Sequence, residues 1–420
     1  MTHRRQLWPA HVLAPAVADR LQVWSSHVLA LVMAVAVLAM FVPRPWINPT
    51  LFQAGLFLLG GVWAAAMVVR PFAVRFSLPM IPLACAVAWG VLQLAAHWTG
   101  GRASTGAAVL VWLGNLVAFF LAMQACGTER VRRLFLDSLL WFAFVLSVVS
   151  VVQYFSWDGR IFWLFPTSDS AALGPFVNRD QYAAFIEMTL PLALVQALGG
   201  GPRAMGMAVV SAAMYASVIA GASRAGALLV TAEIVVVPLL LWASGRAGRN
   251  SGRTARNGGR TAAIHVWLLA LVFVAVVGWA VLWSRFQDPD PLSGRREMLA
   301  STVAMVRARP WTGFGLGTFR TVYPAYASLD FGAVVQHAHN DWAEWAADGG
   351  IPFSLLLAWI ALWSIRKALR TVWGIGLVAV FVHGVVDFPL QKPVLELWLF
   401  GLLGVLAAEP EATARADLRA

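Results

Sequence analysis

Residues 336–350 read QHAHNDWAEWAADGG, and this polar stretch stands between parts of the chain that are dominated by apolar runs. It holds two of the eight histidines, together with three acids and two tryptophans. Asn340 or Asp341 can cap a helix at its start, the tryptophans at 342 and 345 fall on one face, and the glycines at 349–350 can end it. The stretch therefore predicts a short helix that leads into the next apolar run.

The composition places this helix in a membrane protein. The chain has 420 residues, of which 60% are hydrophobic and 12% are charged. A soluble globular protein carries about twice that charged fraction. Apolar stretches long enough to cross a bilayer recur from end to end, so the predicted fold is an all-α polytopic membrane protein with about 12 transmembrane helices. Cys85 and Cys126 lie in apolar segments, which argues against disulfides and against a cysteine-based metal site.

The apolar runs predict a division of the chain into three parts. Residues 1–284 form a membrane region with nine spans and an outside loop at about 156–180, residues 285–350 form a large outside loop with short helices, and residues 351–420 hold three spans and a cytoplasmic tail. The spans are placed near 24–43, 51–69, 78–97, 107–126, 134–154, 181–198, 204–222, 225–243, 264–284, 351–365, 371–388 and 393–408.

Basic residues predict the orientation. With the N-terminus inside, most of the 31 lysines and arginines fall on the inside, including those of the short loops 127–133 and 366–370, which carry most weight. Both termini are therefore expected to be cytoplasmic. The arginine-rich segment 245–260 then has a topological reason, and no nucleic-acid partner is expected.

Twelve basic residues fall outside, and four arginines among them lie in motifs that suggest a function. Arg179 follows Asn178 before span six, Arg224 lies in the turn before span eight, and Arg295 and Arg296 open a helix predicted to run along the membrane surface as far as Pro310. Arginine near lipid is costly unless it is paired or hydrated, and its planar fork suits phosphate oxygens. A lipid-linked phosphate or pyrophosphate is thus one explanation. The other is that each arginine anchors the interface or pairs with a local acid such as Glu297.

The glycine-rich segment 313–317 matches the first part of a dinucleotide-binding fingerprint, but no strand precedes it. We interpret it as a turn that shapes the outside loop.

Two histidine groups can carry chemistry. His337 and His339 suit a metal pair, with Asp341 and Glu344 as further oxygen ligands, or His339 is a general base at a helix N-terminus. His383 and Asp387 close span eleven, where an ionisable pair is either functional or an intrahelical contact between positions i and i+4.

An ordered set of these motifs resembles the bacterial O-antigen ligase and polymerase superfamily of membrane glycosyltransferases. The set covers roughly residues 170–395, with Asp180 and Asp348 standing where the family often has Asn and Glu. The motifs are GPFVNR at 174–179, SRAG at 223–226, Gly294-Arg295 with residues 310–317 and Phe319, His339-Asn340 with DGGIP at 348–352, and His383-Gly384 with Asp387-Phe388-Pro389.

The resemblance implies an enzyme of the bacterial inner membrane whose active site faces the periplasm. Such enzymes take a glycan from undecaprenyl pyrophosphate and join it to an acceptor hydroxyl, with membrane lipids around them and without metal or cofactor. His339 would be the catalytic base. The donor pyrophosphate would be bound by Arg179, Arg224, Arg295 and Arg296, and the supporting residues would be Asn178, Asn340, Asp341, Glu344, His337, His383 and Asp387. Of these, Asn340, Asp341 or Glu344 would orient the imidazole or bind sugar.

The alternatives within this superfamily differ in the acceptor of the glycan. It is the lipid A–core oligosaccharide for a ligase, which we favour, another lipid-linked glycan for a polymerase, and protein Ser or Thr for a third branch. A lipid-linked glycan flippase is an alternative from another class. It would need charges deep within the spans, where Glu187 and Glu233 are exceptions in nearly uncharged segments.

Overall fold

The computed structural model describes residues 15–42, 47–69, 74–167, 172–244, 252–277, 279–287, 293–330 and 332–409. This part of the chain is mostly helical, and its described strands form one two-residue hairpin, which confirms the all-α class. Part of the arginine-rich segment, at 245–251, and the tail beyond residue 409 lie outside the described residues.

The helices follow one another with short connections over most of the chain. In order they are α1 (Pro15–Leu38), α2 (Ile47–Val69), α3 (Met80–Ala95), α4 (Arg102–Ala125), α5 (Glu129–Phe155), α6 (Arg179–Leu198), α7 (Ala204–Gly221), α8 (Arg224–Ala243), α9 (Gly252–Val277), α10 (Ala280–Phe286), α11 (Ser293–Ala308), α12 (Phe319–Val322), α13 (Asp341–Ala368), α14 (Ile375–His383) and α15 (Pro393–Ala408). The hairpin strands β1 (Arg160–Ile161) and β2 (Phe165–Pro166) lie between α5 and α6 and are antiparallel.

Eight of the described helices are long and apolar enough to cross a membrane, namely α1, α2, α4 to α8 and α13. Shorter apolar helices occupy Met80–Ala95, Ile264–Val276, Val372–His383 and Pro393–Ala408. Every predicted span thus falls on an apolar helix, but the exact number of crossings and the side of the termini stay predictions.

Two predicted spans differ from the helices that the structure shows. The run at 264–284 is divided, because α9 ends at Val277 and α10 begins at Ala280. The run at 351–365 continues directly from the helix predicted in the polar stretch. Both lie within α13, and Gly350, with φ 75° and ψ 174°, breaks the helical geometry between them. That conformation favours glycine, so the glycine pair ends the first segment as expected.

The core of the bundle is built around α6, which is buried along nearly its whole length between α7, α8 and α14. Small residues allow this close approach. A Cβ at Gly376 of α14 would overlap the backbone carbonyl of Glu187 in α6, and one at Gly404 of α15 would overlap that of Phe119 in α4. Without a hydrophobic driving force inside lipid, such backbone contact is a main source of helix association.

We expect Gly404→Ala to destabilise the protein by about 1–3 kcal/mol, because the added methyl group forces α15 away from α4. Thermal unfolding in detergent, followed by tryptophan fluorescence, measures the effect. Gly106→Ala in α4 is the control, since a Cβ there meets no atom within 4 Å. Equal melting temperatures for the two variants would contradict the packing account.

Candidate functional site

The N-termini of several helices meet at one end of the bundle, and polar residues cap three of them. The Asn178 Oδ1 accepts a hydrogen bond from the Asp180 N–H at 2.7 Å at the start of α6. Ser223 Oγ accepts one from the Gly226 N–H at 3.0 Å in α8, and Asn340 Oδ1 accepts one from the Ala343 N–H at 2.8 Å in α13. Helix N-termini carry a partial positive charge, so their convergence favours a negatively charged ligand.

The carboxylate of Asp387, between α14 and α15, joins two parts of this region. Arg295 of α11 donates from Nη2 to Asp387 Oδ2 at 2.8 Å, and from Nη1 to the Val386 carbonyl at 2.8 Å. The His339 Nδ1 lies 3.3 Å from the other oxygen, Asp387 Oδ1. Burial alone would raise the pKa of Asp387, but the hydrogen bond from His339 and the charge of Arg295 hold that pKa below its ordinary value.

Asp180 brings α6 and α8 to the same cluster. The Ser223 hydroxyl donates to Asp180 Oδ1 at 2.5 Å, and Asp180 Oδ2 lies 3.7 Å from Arg295 Nη2. Arg295 therefore lies between two carboxylates from different parts of the chain. Its side chain keeps 29% of its surface exposed, so the guanidinium still faces the solvent-accessible end of the bundle.

His383 is fully buried beneath this cluster. Its Nδ1 donates to Glu187 of α6 at 2.8 Å, and its Nε2 has no hydrogen-bond partner among the described residues. Because α14 ends at His383, the segment up to Asp387 forms a turn, and His383 is hydrogen-bonded to Glu187. The intrahelical contact with Asp387, one of the two alternatives from the sequence, is not the one the structure shows.

The loop after α14 holds His339 in place through its neighbours. The Asp341 N–H donates to the Gly384 carbonyl at 2.7 Å, and the Asn340 side chain donates to the Val385 carbonyl at 2.7 Å. The Asp341 carboxylate is buried and accepts the Leu390 N–H at 3.0 Å. His339 itself has a positive φ of 52°, a strained conformation that this network maintains.

His337 has a carboxylate of its own. Its Nδ1 donates to Glu344 Oε1 at 2.9 Å, while Glu344 Oε2 accepts the Ala338 N–H at 2.7 Å. The ring of Phe388 lies against both imidazoles, stacked on His337 and edge-on to His339, with 4.6 Å between ring centroids in each case. The two histidines therefore share an aromatic neighbour but not an acid.

The glycine-rich turn supports the helix of the polar stretch from its far end, in agreement with its interpretation as a shaping turn. Gly313, Gly315 and Gly317 all have positive φ, and a Cβ at Gly313 would overlap the Asp348 carbonyl. The Asp348 carboxylate accepts the Gly317 N–H at 2.8 Å. Gln93 of α3 binds the same region, because its Nε2 donates to the Asp348 carbonyl at 2.9 Å.

The structure brings together His339, Arg295, His383 and Asp387 from the predicted set. Arg179 and Arg224 are half-buried at the N-termini of α6 and α8, whereas Arg296 is exposed.

One expectation needs correction. Asn340, Asp341 and Glu344 are the residues that the sequence offers to orient the His339 ring, but their described side-chain hydrogen bonds go elsewhere and Asp387 is the partner.

Sequence reasoning missed the roles of Gln93, Asp180 and Ser223. Gln93 could have been found as a polar residue within an apolar span, which is a functional or structural signal by default.

Asp180, His383 and Asp387 also offer ligand atoms that lie within 4.8 Å of one another, which is close enough for a metal ion. The guanidinium of Arg295 already lies next to both aspartates and supplies their counter-charge. A cation there would compete with Arg295, so this donor set fits an arginine better than a metal. The His337–His339 pair is divided between two acids, which also weakens a shared metal role.

This arrangement can combine base chemistry with anion binding. A hydrogen bond from His339 Nδ1 to Asp387 leaves Nε2 as the proton-accepting nitrogen. Arg295 shares Asp387 with that ring and adds a positive charge that does not titrate away.

Comparison with known proteins supports the interpretation of the motifs. Residues 208–358 match a family model described as O-antigen ligase, and the match includes Arg224, Arg295 and His339. No curated protein matches the chain. The family match confirms the resemblance to the O-antigen ligase and polymerase superfamily.

We expect Asp387→Asn to lower the free energy of unfolding by about 1–3 kcal/mol at neutral pH, because it removes a buried carboxylate bonded to Arg295 and His339. A carboxyl with a lowered folded-state pKa stabilises fully above its ordinary pKa, about 3.9, and the stabilisation is lost as pH falls through the folded-state pKa. The gap between wild type and variant should therefore narrow below about pH 4.

Thermal unfolding across pH measures this gap. Asp330→Asn is the matched control, since Asp330 is exposed and its described hydrogen bond is with the Gly332 N–H. A gap that widened in acid would contradict the assignment of Asp387 as an ionised partner.

Proposed function

We propose that this protein transfers a glycan from undecaprenyl pyrophosphate to the lipid A–core oligosaccharide at the periplasmic face of the bacterial inner membrane. The observation that carries the proposal is the contact of His339 and Arg295 with the single carboxylate of Asp387, at one end of an apolar helical bundle. The family match supports the reaction type in general, because it covers the segments that carry both His339 and Arg295.

His339 is the general base of the proposed reaction. Its Nδ1–H is directed to Asp387, which holds the ring in one tautomer and supports the imidazolium that forms after proton transfer. The Nε2 takes the proton of the acceptor hydroxyl as that oxygen attacks the anomeric carbon. The bond from the anomeric carbon to the pyrophosphate oxygen then breaks, and the carrier leaves as undecaprenyl pyrophosphate.

Arginines stabilise the leaving pyrophosphate. Arg295 is held by Asp387 and the Val386 carbonyl, and Arg179 and Arg224 stand at the N-termini of α6 and α8 beside the same cluster. Fixed positive charge at the point where negative charge develops usually contributes most to the rate enhancement in such reactions. Arg296 is exposed at the edge of the site, so we assign the closer donor contact to Arg295.

The proposed donor also suits the surroundings of the site. Its prenyl chain requires lipid and its pyrophosphate requires water, and the site lies where the polar ends of apolar helices meet. Charge neutralisation by arginine makes a bound metal unnecessary for the leaving group.

A polymerase reaction uses the same donor chemistry and remains the second candidate, since the family match covers both. The ligase and polymerase reactions can be distinguished by the glycans that accumulate in cells that lack the protein. A missing ligase leaves long glycans on the polyprenyl carrier, whereas a missing polymerase leaves single repeats on the acceptor. A flippase receives less support, because the buried Glu187 is paired with His383 close beneath the site instead of lining a path across the membrane.

His339→Ala is expected to reduce glycan transfer by about 10²–10⁴-fold, because it removes the proton acceptor. The assay uses purified protein in detergent with EDTA, undecaprenyl-pyrophosphate glycan as donor and lipid A–core as acceptor. Wild-type transfer in EDTA supports a metal-independent ligase. The control is His27→Ala, an exposed histidine of α1. Full activity of His339→Ala would rule out the base, and donor elongation without transfer to lipid A–core would indicate a polymerase.

Arg295→Ala is expected to lower kcat by about 10²–10³-fold, as for the loss of one preorganised donor to a developing oxyanion. The exposed neighbour Arg296→Ala should lose much less. The same transfer assay at saturating substrates measures both. A larger loss for Arg296→Ala would reverse the assignment of the two arginines.

A further inference from the structure

A pocket of about 320 Å³ opens beside His339 on the side of the Phe388 ring. It is lined by Met298, residues 333–337, His339, Phe388 and Lys392. Its volume is at the lower end of small-molecule sites, which suits about one sugar ring. The pocket thus places a space for a small ligand next to the proposed catalytic base.

Lys392 gives this pocket its charge. It follows the turn Pro389–Gln391 and precedes α15, and its ammonium lies 5.5 Å from the centroid of the Phe388 ring. That ring also contacts both imidazoles of the pocket. Among the described residues, the Lys392 ammonium has no hydrogen bond or ion pair.

The nearest acid is already in use. Glu344 is close enough to act on Lys392 electrostatically, but its two oxygens accept hydrogen bonds from His337 and the Ala338 N–H. Burial lowers the pKa of Lys392, and the charge of Glu344 opposes that effect. A half-buried cation without its own counter-ion is costly, and an anionic ligand group would compensate for that cost.

The residues that line the pocket also indicate which of the two substrates, donor or acceptor, it binds. It includes His339 but none of Arg179, Arg224 and Arg295, which bind the donor pyrophosphate in the proposed reaction. The Nδ1 of His339 faces the Asp387 carboxylate, whereas its ring also contacts Phe388, which lines the pocket. Donor and acceptor can therefore approach the base from two different sides.

We infer that this pocket is the acceptor subsite and that Lys392 binds an anionic group of the acceptor, a phosphate or a sugar carboxylate, close to the hydroxyl that His339 activates. The inference rests on the proposed function and deepens it by naming a charged acceptor as the substrate class.

The chain offers a sharp kinetic test because it has two lysines. Lys392→Met keeps the length of the side chain and removes the charge, and Lys392→Arg restores the charge. The control is Lys367→Met, because the Lys367 ammonium contacts the Glu409 carbonyl at the other end of α13. In the transfer assay, Lys392→Met should raise the acceptor KM about tenfold while the donor KM is unchanged, and Lys392→Arg should recover most of the loss.

A second test varies the charged groups of the acceptor. Lipid A–core is used intact, after removal of its phosphates, and after reduction of its carboxylates. The effect of Lys392→Met should disappear with the acceptor that lacks the recognised group. An equal loss with all three acceptors would show a structural role and overturn the inference. A rise in the donor KM in place of the acceptor KM would assign Lys392 to the pyrophosphate and overturn it as well.

A binding measurement tests this inference independently of the proposed function. In Lys367→Met protein, Lys392 is the remaining lysine, so its modification by an amine-reactive reagent can be followed by mass spectrometry. Lipid A–core should protect Lys392 from modification even without donor. Protection without any transfer by wild type would reject the ligase function and keep the pocket. Transfer without protection would keep the ligase function and reject the pocket.

Discussion

The carboxylate of Asp387 is the contact on which the arrangement of the site depends. One of its oxygens faces His339 and the other accepts from Arg295, so one side chain joins the polar stretch at the start of α13 to the N-terminus of α11. Asp180 extends the junction to α6 and α8 through Ser223. Without these carboxylates, several positive groups and helix N-termini would be gathered with nothing to balance their charge before a substrate arrives.

The bundle beneath the site limits how far this cluster can move. The His383–Glu187 pair is completely buried and ties the last residue of α14 to the central helix α6. Behind the polar stretch, Gln93 of α3 and the turn at Gly313 bind the backbone at Asp348. Both supports are hydrogen-bonded within a low-dielectric interior, where breaking them is expensive. These buried hydrogen bonds thus lie beneath the site, and the pocket opens beside His339.

The sequence predicts the positions of most helices, but it does not predict which side chains pair across the site. Apolar runs located the eight described helices that are long and apolar enough to cross a membrane, and the side-chain caps at Asn178, Ser223 and Asn340 mark helix starts as local chemistry dictates. The pairing of side chains from distant parts of the chain was harder to predict. That Asp387 rather than a nearer acid contacts His339 depends on how α13 is rotated against the loop after α14, which no spacing rule encodes. The same holds for Glu187 and His383, separated by 196 positions.

Because Arg295 and His339 share one carboxylate, the two halves of the proposed reaction are physically linked. In the structure, the charge of Asp387 is divided between the guanidinium and the imidazole. A pyrophosphate that attracts Arg295 leaves more of that charge to His339 alone, and a carboxylate given wholly to an imidazole stabilises its protonated form. In the proposed reaction, donor binding and the orientation of the His339 ring would then depend on the same carboxylate. The geometry that would allow this coupling is the convergence of the polar stretch and the distant helix α11 on one aspartate.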